Sequence, residues 1–127
     1  MKLFYTVLFG VVLAAISAVA SAGEMPFNQK VFDELRAAGK PVVVHVHAQW
    51  CDTCKEQARV VTPLLSDPEF KDLTLLRADF DKEKALLKTL KVANRSTFVA
   101  FKGNTEVGRS TGETNKEKIA ALLRKAL

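Results

Sequence analysis

Pro41-Val42-Val43-Val44-His45-Val46-His47-Ala48 leads within two residues into Cys51-Asp52-Thr53-Cys54. The Val-rich run is bounded by breakers and reads as a buried strand. The cysteines then fall where that strand hands over to a helix. A cysteine at a helix N-terminus feels unpaired backbone N–H groups and the positive end of the helix dipole. Both favour the thiolate, which is the nucleophilic form. A second cysteine one turn further on is close enough to attack a mixed disulfide and release what is bound. Cys51 is therefore expected to be the attacking, more exposed thiol, and Cys54 the resolving, more buried one.

The other elements follow from caps and periodicity. Asn28 can cap a helix with Val31, Phe32 and Leu35 on its apolar side, and Gly39 stops it. The helix after the cysteines should run to about Val61, because Pro63 limits it. Ser66-Asp67-Pro68-Glu69 looks like a fresh helix start. Thr74 to Asp79 reads as a strand. Lys82 to Leu90 reads as a helix capped by Asp81, with Leu86, Leu87 and Leu90 inward. Thr97–Lys102 and Thr105–Ser110 flank Gly103-Asn104 and should pair as a hairpin. Thr114-Asn115-Lys116-Glu117 has capping-box spacing before the stripe Ile119, Leu122, Leu123 and Ala126. Glu24 to Phe27 reads as a lead-in. Helices alternating with strands predict an α/β fold: a mixed central sheet of about four strands with helices on both faces.

The N-terminal segment reads as something apart from the fold. Lys2 is followed by Leu3 to Ala20, which holds no charged residue, and Ala20-Ser21-Ala22 has the small-x-small form of a cleavage site. That is the pattern of a secretory signal peptide over residues 1–22, leaving one domain over 23–127. An uncleaved membrane anchor is the alternative. Export to the periplasm would place both cysteines where disulfides persist. A loop closed by cysteines three apart restrains little chain entropy, so a chemical use of the pair is favoured over a structural one. The 127 residues carry a net charge of +5, but Lys and Arg are mixed with Asp and Glu. No basic stripe indicates nucleic acid.

Zinc ribbons also use Cys-x-x-Cys, but they need a second ligand pair. The chain has two cysteines in all. His45 and His47, two apart on one strand, point to the same sheet face. Cys51, Cys54, His45 and His47 are thus the only set from which a metal site or a metallochaperone module could be assembled. The simpler reading is two polar residues beside the motif, with no metal. No phosphate loop, flavin motif or Ser-His-Asp pattern is present, so no cofactor is expected beyond a redox-active Cys51–Cys54 disulfide.

Pro41 through Glu56 resembles the first strand and active site of the thioredoxin superfamily. Thr97 through Asn104 resembles its later strand and hairpin, and Gly112 precedes the last helix as in many members. Ala48-x-Trp50-Cys51, Lys55-Glu56 and Ser66-Asp67-Pro68 are most similar to the C-terminal thioredoxin-like domain of the transmembrane thiol reductase DsbD and to small periplasmic relatives. The resemblance covers residues 28–127. It implies a thioredoxin-like fold and a monomeric thiol–disulfide oxidoreductase. Its substrates would be protein disulfides, and a membrane or periplasmic partner would recycle it. Oxidase or isomerase action is the alternative direction. It also implies a substrate surface at Trp50, Arg95, Ser96 and Thr97.

Three positions depart from the family. Ser96 stands where members carry a cis-proline, and a cis bond before a non-proline residue costs about 2.5–4 kcal/mol. Either that bond is strained or it relaxes to trans. In the family the proline also discourages metal binding. His45 matches a buried acid that assists proton transfer from the resolving cysteine; a neutral histidine can act as a base in its place. Asp52 replaces a small or apolar residue. A negative charge beside Cys51 disfavours the thiolate and would make the dithiol a better reductant. An exposed, screened Asp52 acting as a helix cap is the plainer reading.

Overall fold

The computed structural model describes Gly10 and residues 23–127. The leader read in residues 1–22 and its cleavage site, Gly10 apart, lie outside the described residues. Five strands and four helices follow in the order β1 (Gly23–Pro26), α1 (Gln29–Ala37), β2 (Pro41–His47), α2 (Asp52–Leu64), β3 (Thr74–Asp79), α3 (Lys84–Leu90), β4 (Thr97–Lys102), β5 (Thr105–Thr111) and α4 (Lys116–Lys125). A 3-10 turn at Pro68–Phe70 lies between α2 and β3. No helix among the described residues is long and apolar enough to cross a membrane.

The sheet runs β1-β3-β2-β4-β5. β3 lies parallel to both β1 and β2, while β4 is antiparallel to β2 and β5. β2 is thereby central, and Val42, Val43, Val44 and Val46 are fully buried. Their alternation divides the core. Val43 packs with Val61 and Leu64 of α2 and Ile119 and Leu123 of α4. Val42 and Val44 pack on the other face with Phe32 of α1 and Leu86 and Leu87 of α3. A strand apolar on both faces needs cover on both, and the two helix pairs supply it.

The expected alternation and the mixed sheet are present, with five strands where about four were expected. The extra strand is β1, which pairs with β3 from Gly23–Thr74 to Pro26–Arg77. Glu24 anchors it through an ion pair with Arg77 and by accepting from Thr62 Oγ1 at 2.8 Å.

Several helix ends differ from the expectation. α2 continues to Leu64 with Pro63 inside it. Pro63 sits in the last turn, and Leu65 N still donates to Val61 O at 3.1 Å, so the missing N–H costs little continuity. α3 begins at Lys84, and Asp81 does not cap it. Asp79 Oδ1 instead accepts from the N–H groups of Asp81 and Lys82, which ties a separate turn ahead of the helix. The start read at Ser66–Glu69 becomes a single 3-10 turn, capped by Asp67, that sinks Phe70 into the core. α4 is capped by Asn115 Oδ1 on Lys118 N rather than by a Thr114 capping box.

Phe32 joins α1 to the sheet. It lies 5.3 Å from Phe101 in an edge-on contact, and the Arg36 guanidinium covers its ring at 4.7 Å. Phe32→Ala is expected to destabilise the chain by about 3–5 kcal/mol, read as a lower urea midpoint with unchanged m.

Candidate functional site

Cys51 and Cys54 form a disulfide at the start of α2, with Cα atoms 5.2 Å apart. Cys51 is the N-cap, in extended backbone at φ −98°. Its Sγ accepts from Cys54 N at 3.1 Å, in the place a capping oxygen takes. The carbonyls of Ala48 and Cys51 take the N–H groups of Cys51 and Lys55, each at 3.1 Å, which fixes the strand-to-helix turn. Cys51 keeps 5% of its surface exposed and Cys54 none, so a large substrate reaches Cys51 first.

The loop before β4 faces this pair. There is no cis peptide bond among the described residues, so the bond before Ser96 is trans. The strain falls on Ser96 itself, whose φ of 60° lies in the left-handed region. Such a residue costs of order 1–3 kcal/mol and persists only where its surroundings hold it. Ser96 N donates to Val46 O at 2.9 Å, and Ser96 O accepts from Gly112 N at 2.8 Å. With the backbone so placed, Ser96 Oγ lies 3.1 Å from Cys51 Sγ and 3.2 Å from Cys54 Sγ.

Ser96 O has a second donor, Gln57 Nε2, at 2.9 Å, and the same nitrogen donates to Glu113 O at 3.0 Å. Both amide hydrogens are therefore committed, and Gln57 Oε1 must face His45 as an acceptor. His45 Nε2, 2.9 Å away, carries the hydrogen of that bond. The neutral ring then has its lone pair on Nδ1, which is buried and has no partner. His45 is fully buried and stacks on Phe98 at 4.3 Å. Burial holds its pKa down to about 4, against the opposing bond to Gln57. His47 is also pushed below the ordinary histidine value, by burial first and then by the Arg77 charge.

Gln57 is the functional-site residue that the sequence reading passed over. Cys54, Gln57, Val61 and Leu64 are the buried positions of α2. A glutamine at i+3 on that apolar stripe is the signal that could have found it.

The other expected residues are spread between rim and interior. Trp50 is 56% exposed and donates from Nε1 to Asp81 Oδ2 at 2.7 Å. The Arg95 guanidinium lies over its ring, 4.6 Å from the centroid. Thr97 is buried, its hydroxyl donating to Asn94 O at 2.9 Å and lying 3.0 Å from Thr111 Oγ1. Asp52 is exposed in the first turn of α2. His47 opens into a cleft of about 540 Å³ with Glu24, Gln49, Arg77 and Asp79, and neither cysteine lines it. His45 and His47 touch edge-on at 5.6 Å. Among the described residues no group of three or more His, Cys, Asp or Glu is placed to hold a metal ion, so the set Cys51, Cys54, His45 and His47 is not gathered at one point.

This geometry has counterparts. The family described as Thioredoxin matches residues 20–125. The chain is 31% identical over 96 residues to a thioredoxin of Chlamydia pneumoniae, covering 74% of this chain and 89% of that protein. It is 32% identical over 93 residues to the bifunctional thioredoxin reductase/thioredoxin of Mycobacterium leprae; there it covers 73% of this chain but spans only 19% of the larger protein. Among solved structures, Trxlp from Edwardsiella tarda EIB202 matches with a TM-score of 0.77 at 37% identity, covering 80% of this chain and 98% of that one.

The buried His45 makes stability depend on pH. Its folded pKa of about 4 lies below the unfolded value of 6.5, so the unfolded chain binds a proton more readily. The contribution is complete above pH 6.5 and is lost as pH falls toward 4. Unfolding free energy should drop by about 3 kcal/mol between pH 7 and pH 4 from this group alone. Urea titrations of the chain and of His45→Phe at both pH values check it: the drop should be smaller by that amount in the variant.

Proposed function

The chain belongs to the thioredoxin family of thiol–disulfide oxidoreductases, and on that premise we propose that it is an exported reductase of protein disulfides, working through Cys51 and Cys54. The observation that carries the reading is the paired sulfurs at the start of α2, Cys51 keeping 5% of its surface exposed and Cys54 none. In this reading Cys51 is the nucleophile and Cys54 resolves the mixed disulfide. A helix N-terminus supports charge on Cys51, and the buried Cys54 sits where only an already bound sulfur is within reach.

Trp50 and Arg95 form the exposed rim of the substrate surface, with Ser96 and Thr97 beneath it. A proton-transfer role for His45 is secondary. Its Nδ1 lone pair is available, but a pKa of about 4 makes it a weak base at neutral pH. Asp52 favours the reducing direction, because its charge opposes thiolate on the neighbouring Cys51.

Export rests on Lys2, the uncharged run Leu3 to Ala20 and the Ala20-Ser21-Ala22 site. Residues 1–22 then act as a cleaved signal peptide, and 23–127 work as a monomer in the periplasm. A closer kinship with the C-terminal domain of DsbD-type reductases rests on Ala48-x-Trp50-Cys51, Lys55-Glu56 and Ser66-Asp67-Pro68. Substrates are protein disulfides, and a periplasmic or membrane partner restores the dithiol.

Insulin reduction under a dithiol reductant should proceed with the unaltered chain and fall to background in Cys51→Ser; activity surviving in Cys51→Ser would sink the assignment. Cys54→Ala expressed in the native host should accumulate mixed disulfides with exported proteins. Mass spectrometry of the purified protein should find Gly23 at its N-terminus, and an intact Met1 would contradict cleavage.

A further inference from the structure

We propose that the Ser96 hydroxyl is a catalytic hydrogen-bond donor that serves both sulfurs in turn, holding whichever one carries the thiolate during exchange. The proposal rests on the thiol-exchange reading above and names a group that the family's proline cannot supply.

In the disulfide neither sulfur carries a hydrogen, so the contacts at 3.1 and 3.2 Å can only be donated by Ser96 Oγ. A hydroxyl has one hydrogen and rotates to suit its acceptor. Near-equal distances to the two sulfurs leave it free to settle on either. Ser96 is 6% exposed, so little water competes for that hydrogen. The backbone N–H and C=O of Ser96 are both committed, to Val46 O and to Gly112 N with Gln57 Nε2. The left-handed φ of 60° is thus held from three sides, and the side chain is left to the sulfurs.

The two sulfurs differ in their other support. Cys51 Sγ also receives the N–H of Cys54 at 3.1 Å, a donor fixed by the helix. Among the described residues Cys54 Sγ has Ser96 Oγ as its only side-chain partner. The hydroxyl therefore matters most when charge moves to Cys54.

Cys51 thiolate attacks one sulfur of a substrate disulfide. The substrate S–S bond breaks, and the departing sulfur leaves as thiolate and takes a proton from water. Cys54 then loses its proton to solvent, and its thiolate attacks Cys51 Sγ. The Cys51–Cys54 bond forms as the second substrate thiolate is expelled. Two electrons pass from the dithiol to the substrate, and an external dithiol resets the pair. Ser96 keeps its proton throughout; only its hydrogen bond moves, from Cys51 to Cys54. Charge-assisted bonds of this kind are about twice as strong as neutral ones.

Two variants separate the hydroxyl from the backbone. Ser96→Gly suits φ 60° and removes the hydroxyl; Ser96→Ala removes it and keeps the strain. Thiolate formation in the reduced chains is read by absorbance at 240 nm and by the pH dependence of iodoacetamide alkylation of Cys51. Both variants should show the Cys51 midpoint raised by about one pH unit, with about tenfold less thiolate below it. An unchanged midpoint in both, or a shift in Ser96→Ala alone, overturns the proposal. Urea unfolding of Ser96→Gly confirms that the measured chain is folded. The readout needs no substrate, so a chain that shows the shift but fails to reduce insulin contradicts the reductase reading and leaves this one standing.

Discussion

Gln57 Nε2 gives both of its hydrogens to backbone carbonyls, those of Ser96 and Glu113, while Oε1 receives the hydrogen of His45. One amide thereby ties α2 to β2, to the loop before β4 and to the lead-in of α4. Its burial forces this completeness, because each polar atom left without a partner there would cost about 1–3 kcal/mol. What depends on it is the position of Ser96. Gly112 N shares the Ser96 carbonyl at 2.8 Å, so the two donors together hold the left-handed residue and keep its hydroxyl at the sulfurs.

The electrostatics around the pair are mild and partly opposed. The start of α2 and the Cys54 N–H favour negative charge on Cys51. Asp52, exposed one residue on, opposes it through solvent. His45 adds no positive charge at neutral pH, since burial keeps its ring neutral. The helix start and the Cys54 N–H thus act on Cys51 in the opposite sense to Asp52.

The strand-to-helix handover at Cys51 was legible because a Val-rich run, a tryptophan and two cysteines lie in one stretch of sequence. The helices around it were legible through Asn28, the leucines of α3 and the stripe Ile119, Leu122, Leu123. β1 was not, since Gly23-Glu24-Met25-Pro26 has no periodicity and becomes a strand only by pairing with β3. Asn115 caps α4 one residue beyond Thr114, which has similar capping chemistry; near α3 the side-chain cap is Asp79 on a preceding turn, and Glu83 at the helix start makes no side-chain cap bond. Asp81 turned out to hold Trp50. Ser96 was visible as a departure, but its two sulfur contacts depend on a backbone conformation that no local pattern announces. Gln57 looked like one more polar residue of a helix until the loop that buries it was in place.

These features join at the equilibrium between disulfide and dithiol. The most direct test is the midpoint potential of Cys51–Cys54, from titration against a thiol–disulfide buffer. A potential near that of thioredoxins, about −270 mV, is what the account predicts. A value near about −120 mV, where strong oxidants lie, would contradict it.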